Sequence, residues 1–216
     1  MRTAGVIRFV LVLFTLVVTW LFSRTYLRDW PRSFRNLADL KPAKNKCGNI
    51  RSCAKHHFAF KIISGAANVI GPSMCLEDKM IMGNVQNNVG RGINIAFING
   101  ANSEVLKCGS FNLYAEDPTE LIEFVKPVPA GTVVMIATYD EPASKLTDEA
   151  RKYFTDMGSA FGKNISFRDN WVFLGVVGMN ITSPYEKWIK NDAYANKYDG
   201  WPEVVEMEGC IPRKMK

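Results

Sequence analysis

The sequence predicts an α+β domain, in which a mostly antiparallel set of β-strands is interrupted by helices. Two observations predict this class: five short runs rich in β-branched and aromatic residues, and two segments whose apolar residues recur at helical spacing. A third is the length of 216 residues, which fits one domain with an N-terminal extension.

The five predicted strands are short and are bounded by Gly, Pro, Asn or Asp, which commonly end strands. They are HFAFKII (57–63), LEDKMIM (76–82), INIAFIN (93–99), VVMIATY (133–139) and WVFLGVV (171–177).

The two predicted helices carry start and stop signals at their ends. The segment 117–125 opens on an aspartate cap followed by a proline, a residue that suits the first helical position. The segment 147–158 opens on Thr147, continues with two acidic residues and closes on Gly158.

The N-terminus carries an apolar run of about 14 residues, FVLVLFTLVVTWLF (9–22), behind the charged segment MRTAGVIR. A charged region followed by an apolar one predicts a secretory signal peptide over 1–25. The run is short for a membrane span, which needs about 20 residues.

The alternative is an uncleaved signal anchor, because no small-x-small cleavage motif follows the apolar run. The arginines argue against a stable anchor, since the flank beyond the run carries more of them than the flank before it. Those beyond are Arg24, Arg28, Arg32 and Arg35, and those before are Arg2 and Arg8. We therefore expect a secreted, extracellular protein with no stable membrane insertion once the signal is cleaved.

After the signal, residues 26–46 are basic, contain two prolines and lack a sustained period, so a flexible tether is predicted there. A single domain is predicted over 47–212, and residues 213–216 form a short tail.

Five cysteines follow the signal, and in an oxidising compartment an even subset of them should pair. Four paired cysteines allow three connectivities and leave one thiol over. A zinc site built from Cys53, His56 and His57 is disfavoured, because adjacent histidines on a strand point to opposite faces and no second ligand pair occurs. We expect no metal and no cofactor.

Two Asn-x-Ser/Thr motifs agree with export from the cytosol. Asn164 and Asn180 both read as glycosylation acceptors.

Charge and composition set aside one class of function. The chain is 47% hydrophobic and 22% charged, as in ordinary folded proteins, and its net charge of +6 is modest. No basic stripe with interleaved aromatic residues is present, so we expect no nucleic-acid binding.

The residues for catalysis are few. The chain has only two histidines, His56 and His57, and both lie beside Cys53, which we expect to be in a disulfide. No Asp-x-Asp occurs for a metal-bound nucleotide sugar. The sequence therefore predicts a protein that is not an enzyme.

The stretch NNVGRGINIAFING (87–100) contains a Gly-Arg-Gly sequence that resembles part of a phosphate-binding loop. A dinucleotide fingerprint would need a third glycine at position 95, which is Ile, and a helix where a strand is predicted. Gly90 and Gly92 instead predict positive φ or a close backbone approach at the start of a strand, with Arg91 presented outward.

Four long blocks together resemble one family. They are HFAFKIISGAANVIGPSMCLEDKMIM, NNVGRGINIAFING, FRDNWVF and NKYDGWPEVVEMEGCIP. They are similar to the secreted, cytokine-like proteins called family with sequence similarity three, which includes the interleukin-like inducer of epithelial-mesenchymal transition and the pancreatic-derived factor. The resemblance covers residues 46–212, with the gut-secreted member most similar in the N-terminal block.

The resemblance implies a fold of two β-sheets with flanking helices, also described as a GG-type lectin domain. It also implies disulfides that join Cys47 to Cys75 and Cys53 to Cys210. Cys108 would then be the odd thiol, either buried and inert or used in an intermolecular bridge.

A carbohydrate site is implied as well. In a related lectin domain, sugar is held by residues that correspond to Arg91, Asp140 and Arg168, with Trp171 nearby. Guanidinium groups and a carboxylate can form directional hydrogen bonds to vicinal hydroxyls. The alternative is that Arg168 and Asp140 form a plain salt bridge and that Trp171 belongs to the core.

The function implied by the resemblance is that of a non-catalytic cytokine-like or hormone-like signalling protein. It would act through a cell-surface receptor in metabolic regulation, including insulin or glucagon secretion, as a monomer or weak dimer. The alternative is a carbohydrate-binding module that recognises a glycan on a glycoprotein.

Overall fold

The computed structural model describes residues 3–26 and 45–213. These residues belong to two units, an N-terminal helix and a folded body, and each is described by itself.

The N-terminal unit is one helix, α1 (Thr3–Tyr26), of 24 residues. Its segment Gly5–Arg24 spans 20 residues with a mean hydropathy of 2.3, which is long and apolar enough to cross a membrane. This segment is longer than the apolar run 9–22 considered from the sequence, because the apolar residues before Arg8 and the arginines at 8 and 24 are included in it, so length alone does not exclude a span. A signal sequence meets the same criterion, so cleavage after 1–25 stays a prediction. The predicted tether lies almost entirely outside the described residues.

The body contains nine strands, two α-helices and three short 3₁₀ helices within its described residues. The strands are β1 (His57–Ile63), β2 (Ser73–Leu76), β3 (Lys79–Met82), β4 (Gly92–Asn99), β5 (Val105–Phe111), β6 (Thr132–Tyr139), β7 (Asn170–Val176), β8 (Tyr185–Ile189) and β9 (Glu206–Pro212). The α-helices are α2 (Thr119–Val125) and α3 (Asp148–Asp156).

The strands form two antiparallel sheets. The four-stranded sheet has the order β3-β2-β1-β9 and the five-stranded sheet the order β5-β4-β6-β7-β8. In the first sheet Phe60 of β1 pairs with Leu76 and with Gly209, and in the second Ile95 of β4 pairs with Gly109 and with Ile136. The predicted α+β class with two sheets and flanking helices is confirmed.

The prediction of one strand over 76–82 is wrong. Leu76 ends β2 and Lys79 begins β3, and the two residues between them, Glu77 and Asp78, have φ of 52° and 66°. Positive φ at both central residues is the geometry of a tight hairpin turn. The segment therefore turns back on itself where an unbroken strand was expected.

Apolar side chains from both sheets fill the space between them. The first sheet contributes Phe58, Phe60 and Ile62 of β1, together with residues of β2, β3 and β9. Alternate residues of β4, β6 and β7 face them from the second sheet: Ala96, Ile98, Val133, Met135, Ala137, Val172 and Leu174. This alternation follows the two-residue period of a strand.

The other face of the five-stranded sheet packs against α2 and α3. Ile93, Ile95 and Phe97 of β4 face this layer with Trp171 and Phe173 of β7. Since both faces are covered, the three central strands read as nearly continuous apolar runs.

The cap predicted at Thr147 is present, and Asp117 accepts a hydrogen bond from the first residue of the other body helix, whose N-cap is Pro118. The side-chain oxygen of Thr147 accepts a hydrogen bond from the N–H of Ala150 at 3.3 Å at the start of α3. Asp117 accepts from the N–H of Thr119 at 2.8 Å, and α2 begins at Thr119.

The structure contains both disulfides that the family resemblance implies, Cys47–Cys75 and Cys53–Cys210. Cys108 of β5 is a free, half-buried thiol. Burial raises the pKa of the Cys108 thiol above its ordinary value, which disfavours the reactive thiolate.

Candidate functional site

Three strand ends meet at one end of the five-stranded sheet. Gly92, the first residue of β4, pairs with Tyr139, the last residue of β6. The hydroxyl of Thr138 donates to the carbonyl of Asp169 at 3.1 Å and accepts from the N–H of Trp171 at 2.8 Å, which joins β6 to the start of β7. Because each candidate residue lies within two residues of one of these strand ends, the fold brings Arg91, Asp140 and Arg168 to the same end of the sheet.

Arg91 and Asp140 form an ion pair, with 3.2 Å between Nη1 and Oδ2. The side chain of Arg91 is 58% exposed and that of Asp140 is 14% exposed. Among the described residues Asp140 pairs with Arg91, so the alternative in which it pairs with Arg168 is not the arrangement found. The guanidinium of Arg91 is open to water, so it can hydrogen-bond to a ligand while it pairs with the largely buried Asp140 carboxylate.

The Gly-Arg-Gly turn that carries Arg91 requires its second glycine. Gly92 has φ of +90°, and a Cβ there would lie 1.9 Å from the carbonyl oxygen of Phe111. The buried amide of Asn94 accepts from the N–H of Gly90 at 2.9 Å and donates to its carbonyl at 2.7 Å. Sequence reasoning missed Asn94, a polar residue within an apolar strand that fixes the path of the turn.

Asp140 and Arg168 both have left-handed backbone, with φ of 62° and 59°. Such a conformation is uncommon for residues other than glycine, and it persists where contacts with the surrounding structure hold it in place. At Asp140 the N–H donates to the carbonyl of Ala67 at 3.1 Å, and the hydroxyl of the preceding Tyr139 donates to the carbonyl of Asn68 at 3.0 Å. The loop after β1 therefore supports the aspartate.

Arg168 lies against two aromatic rings. Its guanidinium carbon is 4.1 Å from the ring centre of Trp201 and 4.9 Å from that of Phe167. Nη1 also donates to the carbonyl of Gly200 at 3.3 Å. Ring stacking orients the planar guanidinium and leaves its other N–H groups for a ligand.

The prediction that Trp171 is the aromatic residue of this site is wrong. Trp171 has 0% exposure, packs against Phe154, and donates its indole N–H to Glu186 at 2.7 Å. Its ring therefore cannot cover a sugar. Trp201 takes the place beside Arg168, and the signal for it is an aromatic residue between a glycine and a proline in a loop.

The loop that presents Arg168 is fixed by the next residue. Asp169 is 1% exposed and accepts hydrogen bonds from the N–H of Ser166 at 2.9 Å, the indole of Trp188 at 2.8 Å and the N–H of Asn191 at 2.8 Å. The carboxylate thus joins the loop before β7 to the chain after β8. Because Arg168 precedes Asp169 in this loop, its backbone is fixed in position by the same hydrogen bonds.

The arrangement offers two guanidinium groups, one carboxylate and two aromatic faces, which suits hydrogen bonding to a polyhydroxylated or charged ligand. No group of three or more His, Cys, Asp or Glu residues that could hold a metal ion occurs within residues 3–26 and 45–213. His57 lies elsewhere, at the start of β1, where its Nδ1 is 3.3 Å from the carbonyl of Lys55.

The two glycosylation acceptors lie outside this site. Asn164 and Asn180 are both exposed. Their modification stays a prediction.

Comparison with known proteins gives consistent matches. The family model described as Interleukin-like EMT inducer matches residues 91–179, which include Arg91, Asp140 and Arg168. The chain is 46% identical to Protein FAM3D of Mus musculus over 222 residues, covering 100% of both chains. It is 43% identical to Protein FAM3A of Homo sapiens over 226 residues, covering 99% of this chain and 98% of the relative.

A third relative, Protein FAM3C of Homo sapiens, is 52% identical over 194 residues, which cover 90% of this chain and 83% of the relative. The family predicted from the four sequence blocks is confirmed, and the chain belongs to the FAM3 family.

Proposed function

We propose that this chain is a secreted, non-catalytic signalling protein of the cytokine-like or hormone-like kind, recognised by a cell-surface receptor. The observation that supports the proposal is the 43–52% identity to three FAM3 proteins over most or all of the chain. The apolar helix α1 and two disulfides fit an exported, extracellular protein.

Receptor recognition is tested by saturation binding of the purified secreted protein to cultured cells. A receptor ligand should give saturable binding that survives glycosidase treatment of the cells and is not displaced by free sugars. Binding that disappears with the glycans would contradict receptor recognition and favour the second function below.

The receptor's action is proposed to be metabolic, through insulin or glucagon secretion, because the family resemblance carries that association. Isolated islets treated with the protein should change their release of one of these hormones. Heat-denatured protein serves as the control, and unchanged release of both hormones would contradict the metabolic role.

A second candidate function is recognition of a glycan on a glycoprotein. It is favoured by Arg168, whose guanidinium carbon lies 4.1 Å from the ring centre of Trp201, at the same sheet end as the Arg91–Asp140 pair. An aromatic surface beside charged hydrogen-bonding groups is a common arrangement in ligand sites.

Glycan arrays and calorimetry with the Arg168→Ala variant test this function. The variant should lose most of the binding, whereas Lys126→Ala, an exposed cation at the end of α2, should bind as the unmodified protein does. Equal binding by Arg168→Ala would remove Arg168 from the site.

A further inference from the structure

A cavity of about 560 Å³ lies at the end of the five-stranded sheet opposite to Arg91, Asp140 and Arg168. Its walls come from the chain before β6, the end of β7, the connection from β7 to β8, and the end of β9. The eight residues of β6 separate the two ends by roughly 25 Å at about 3.3 Å per residue. The volume falls within the range of about 300–1,000 Å³ that is usual for small-molecule sites.

The walls of this cavity are apolar. Apart from Ser183, Tyr185 and Arg213, every lining residue is glycine, proline or an apolar residue. The two hydroxyls have partners within the protein: Ser183 donates to the carbonyl of Leu174, and Tyr185 donates to that of Cys210 at 2.6 Å. The cavity thus suits a hydrocarbon group better than a polar one.

Two large apolar side chains line the cavity and are open to water. Ile181 is 61% exposed and Met179 is 47% exposed. Neighbouring exposed apolar residues beside an apolar cavity commonly mark a binding surface. A ligand that fills the cavity would also cover these two side chains.

The charge beside the cavity is positive. Arg213 is the one charged residue among those that line it, and its side chain is 40% exposed. Nη2 of Arg213 lies 3.0 Å from Glu77, but the same carboxylate also pairs with Lys46, so two cations share one anion.

We propose that this cavity binds a single-chain amphiphile with an anionic head group, the chain in the apolar cavity and the head group at Arg213. Charge complementarity selects this class, since an arginine at the edge of a hydrocarbon-lined cavity can pair with a carboxylate, sulfate or phosphate. The proposal is independent of the glycan function, because the residues of the glycan site lie at the other end of the sheet.

Calorimetric titration of the full secreted protein with laurate, below its micelle concentration, tests the proposal. Laurate should bind saturably with one site per chain. Dodecanol, which has the same chain and no charge, should bind about tenfold more weakly because it lacks the charge-assisted contact. Absence of saturable laurate binding, or equal binding of dodecanol, would overturn the proposal.

Two variants locate the site. Ile181→Asp places a carboxylate beside the apolar cavity and should weaken laurate binding by about tenfold or more. Arg213→Gln should weaken laurate to the level of dodecanol and leave dodecanol unchanged. Val85→Asp, at a residue 95% exposed and outside the cavity lining, is the matched control and should bind laurate normally. Normal laurate binding by Ile181→Asp would place the ligand elsewhere and overturn the assignment.

Discussion

The two sheets of the body are held together in different ways. Both disulfides formed by the described residues end in the four-stranded sheet, at Cys75 of β2 and Cys210 of β9. The five-stranded sheet has no disulfide in the described part of the chain, and buried or half-buried carboxylates join its loops.

Glu186 of β8 shows how such a carboxylate works. It accepts hydrogen bonds from the N–H groups of Ala160 and Phe161, the hydroxyl of Ser159 and the indole of Trp171. A disulfide acts mainly by restricting the unfolded chain, whereas such a carboxylate fixes local geometry in the folded one. The five-stranded sheet, which bears the candidate site, therefore depends on hydrogen bonds that a single substitution can remove.

The largest expected effect on stability comes from removing the disulfides of the four-stranded sheet. Replacing Cys53 and Cys210 by serine opens a link across 157 residues and should lower the free energy of unfolding by about 4–5 kcal/mol. Replacing Cys47 and Cys75, 28 residues apart, should cost about 3.5 kcal/mol, because a shorter loop loses less entropy. Urea unfolding measures both, with Cys108→Ser as a control expected to unfold near the unmodified protein. A larger loss for the short link would show that strain or packing outweighs loop entropy.

The next largest effect is expected from removing a hydrogen bond to Glu186 in the five-stranded sheet. Trp171→Phe keeps an aromatic ring in the core but removes the indole N–H that donates to Glu186, and should cost about 2–3 kcal/mol in unfolding free energy. Trp201→Phe, which retains an aromatic face for Arg168, should cost less than about 1 kcal/mol. Similar losses in the two variants would mean that the Glu186 contacts contribute little.

A smaller effect on stability depends on pH and involves Glu77, in the turn between β2 and β3 of the four-stranded sheet. Burial of Glu77 favours a higher pKa, but the hydrogen bonds from Lys46 and the N–H of Ala59, with the charges of Lys46 and Arg213, outweigh burial and hold the pKa of Glu77 below its ordinary value of 4.5. Ionised Glu77 therefore stabilises the folded state above pH 4.5, and this stabilisation is lost as the pH falls through the lower folded pKa.

Glu77→Gln should accordingly reduce stability at neutral pH by up to about 1 kcal/mol and flatten the loss of stability in acid. Urea unfolding at a series of pH values measures the slope. Glu123→Gln, at an exposed position of α2, should leave the slope unchanged. An unaltered acid slope in Glu77→Gln would assign the pH dependence to other groups.

The smallest expected effect lies at the candidate site. Arg91→Ala removes an ion pair whose arginine is open to water and should change the free energy of unfolding by less than about 1 kcal/mol. A loss above about 2 kcal/mol would identify the pair as a structural contact. The small effect, combined with a loss of ligand binding, would separate a binding role from a stabilising one.

The sequence predicted the fold class and the elements with strong patterns. The run 57–63 is β1 itself, Thr147 caps α3 as predicted, and α2 begins two residues after Asp117. The failure at 76–82 has a physical cause, since Glu77 and Asp78 adopt a left-handed conformation that sequence reasoning assigns first to Gly or Asn.

Four strands were not predicted: β2, β5, β8 and β9. Of these, β5 and β8 are the edges of the five-stranded sheet, and β9 is an edge of the other. An edge strand is less covered and includes more charged and small residues, as in EMEGCIP, so the apolar pattern is weak.

Arg91, Asp140 and Arg168, which the resemblance implies for a carbohydrate site, adjoin strand ends at one end of the five-stranded sheet, and their role in binding stays a prediction. The pairing of Arg168 with Asp140 and the aromatic role of Trp171 do not match the structure. Alternation along β7 places Trp171 on the same buried face as Phe173, which a period of two could have shown. Trp201 lies in a loop without periodicity, and its contact with Arg168 depends on tertiary folding that the pattern does not contain.

The carboxylate of Glu77 has a practical consequence. It pairs with Lys46 near the start of the body and with Arg213 at the last described residue, so the chain enters and leaves the body at nearly the same place. A fluorescent label or purification tag fused at either of these points would lie beside the apolar cavity and some 25 Å from Arg168. Tagged protein is therefore suited to glycan assays, whereas tag-free protein is required for amphiphile titration.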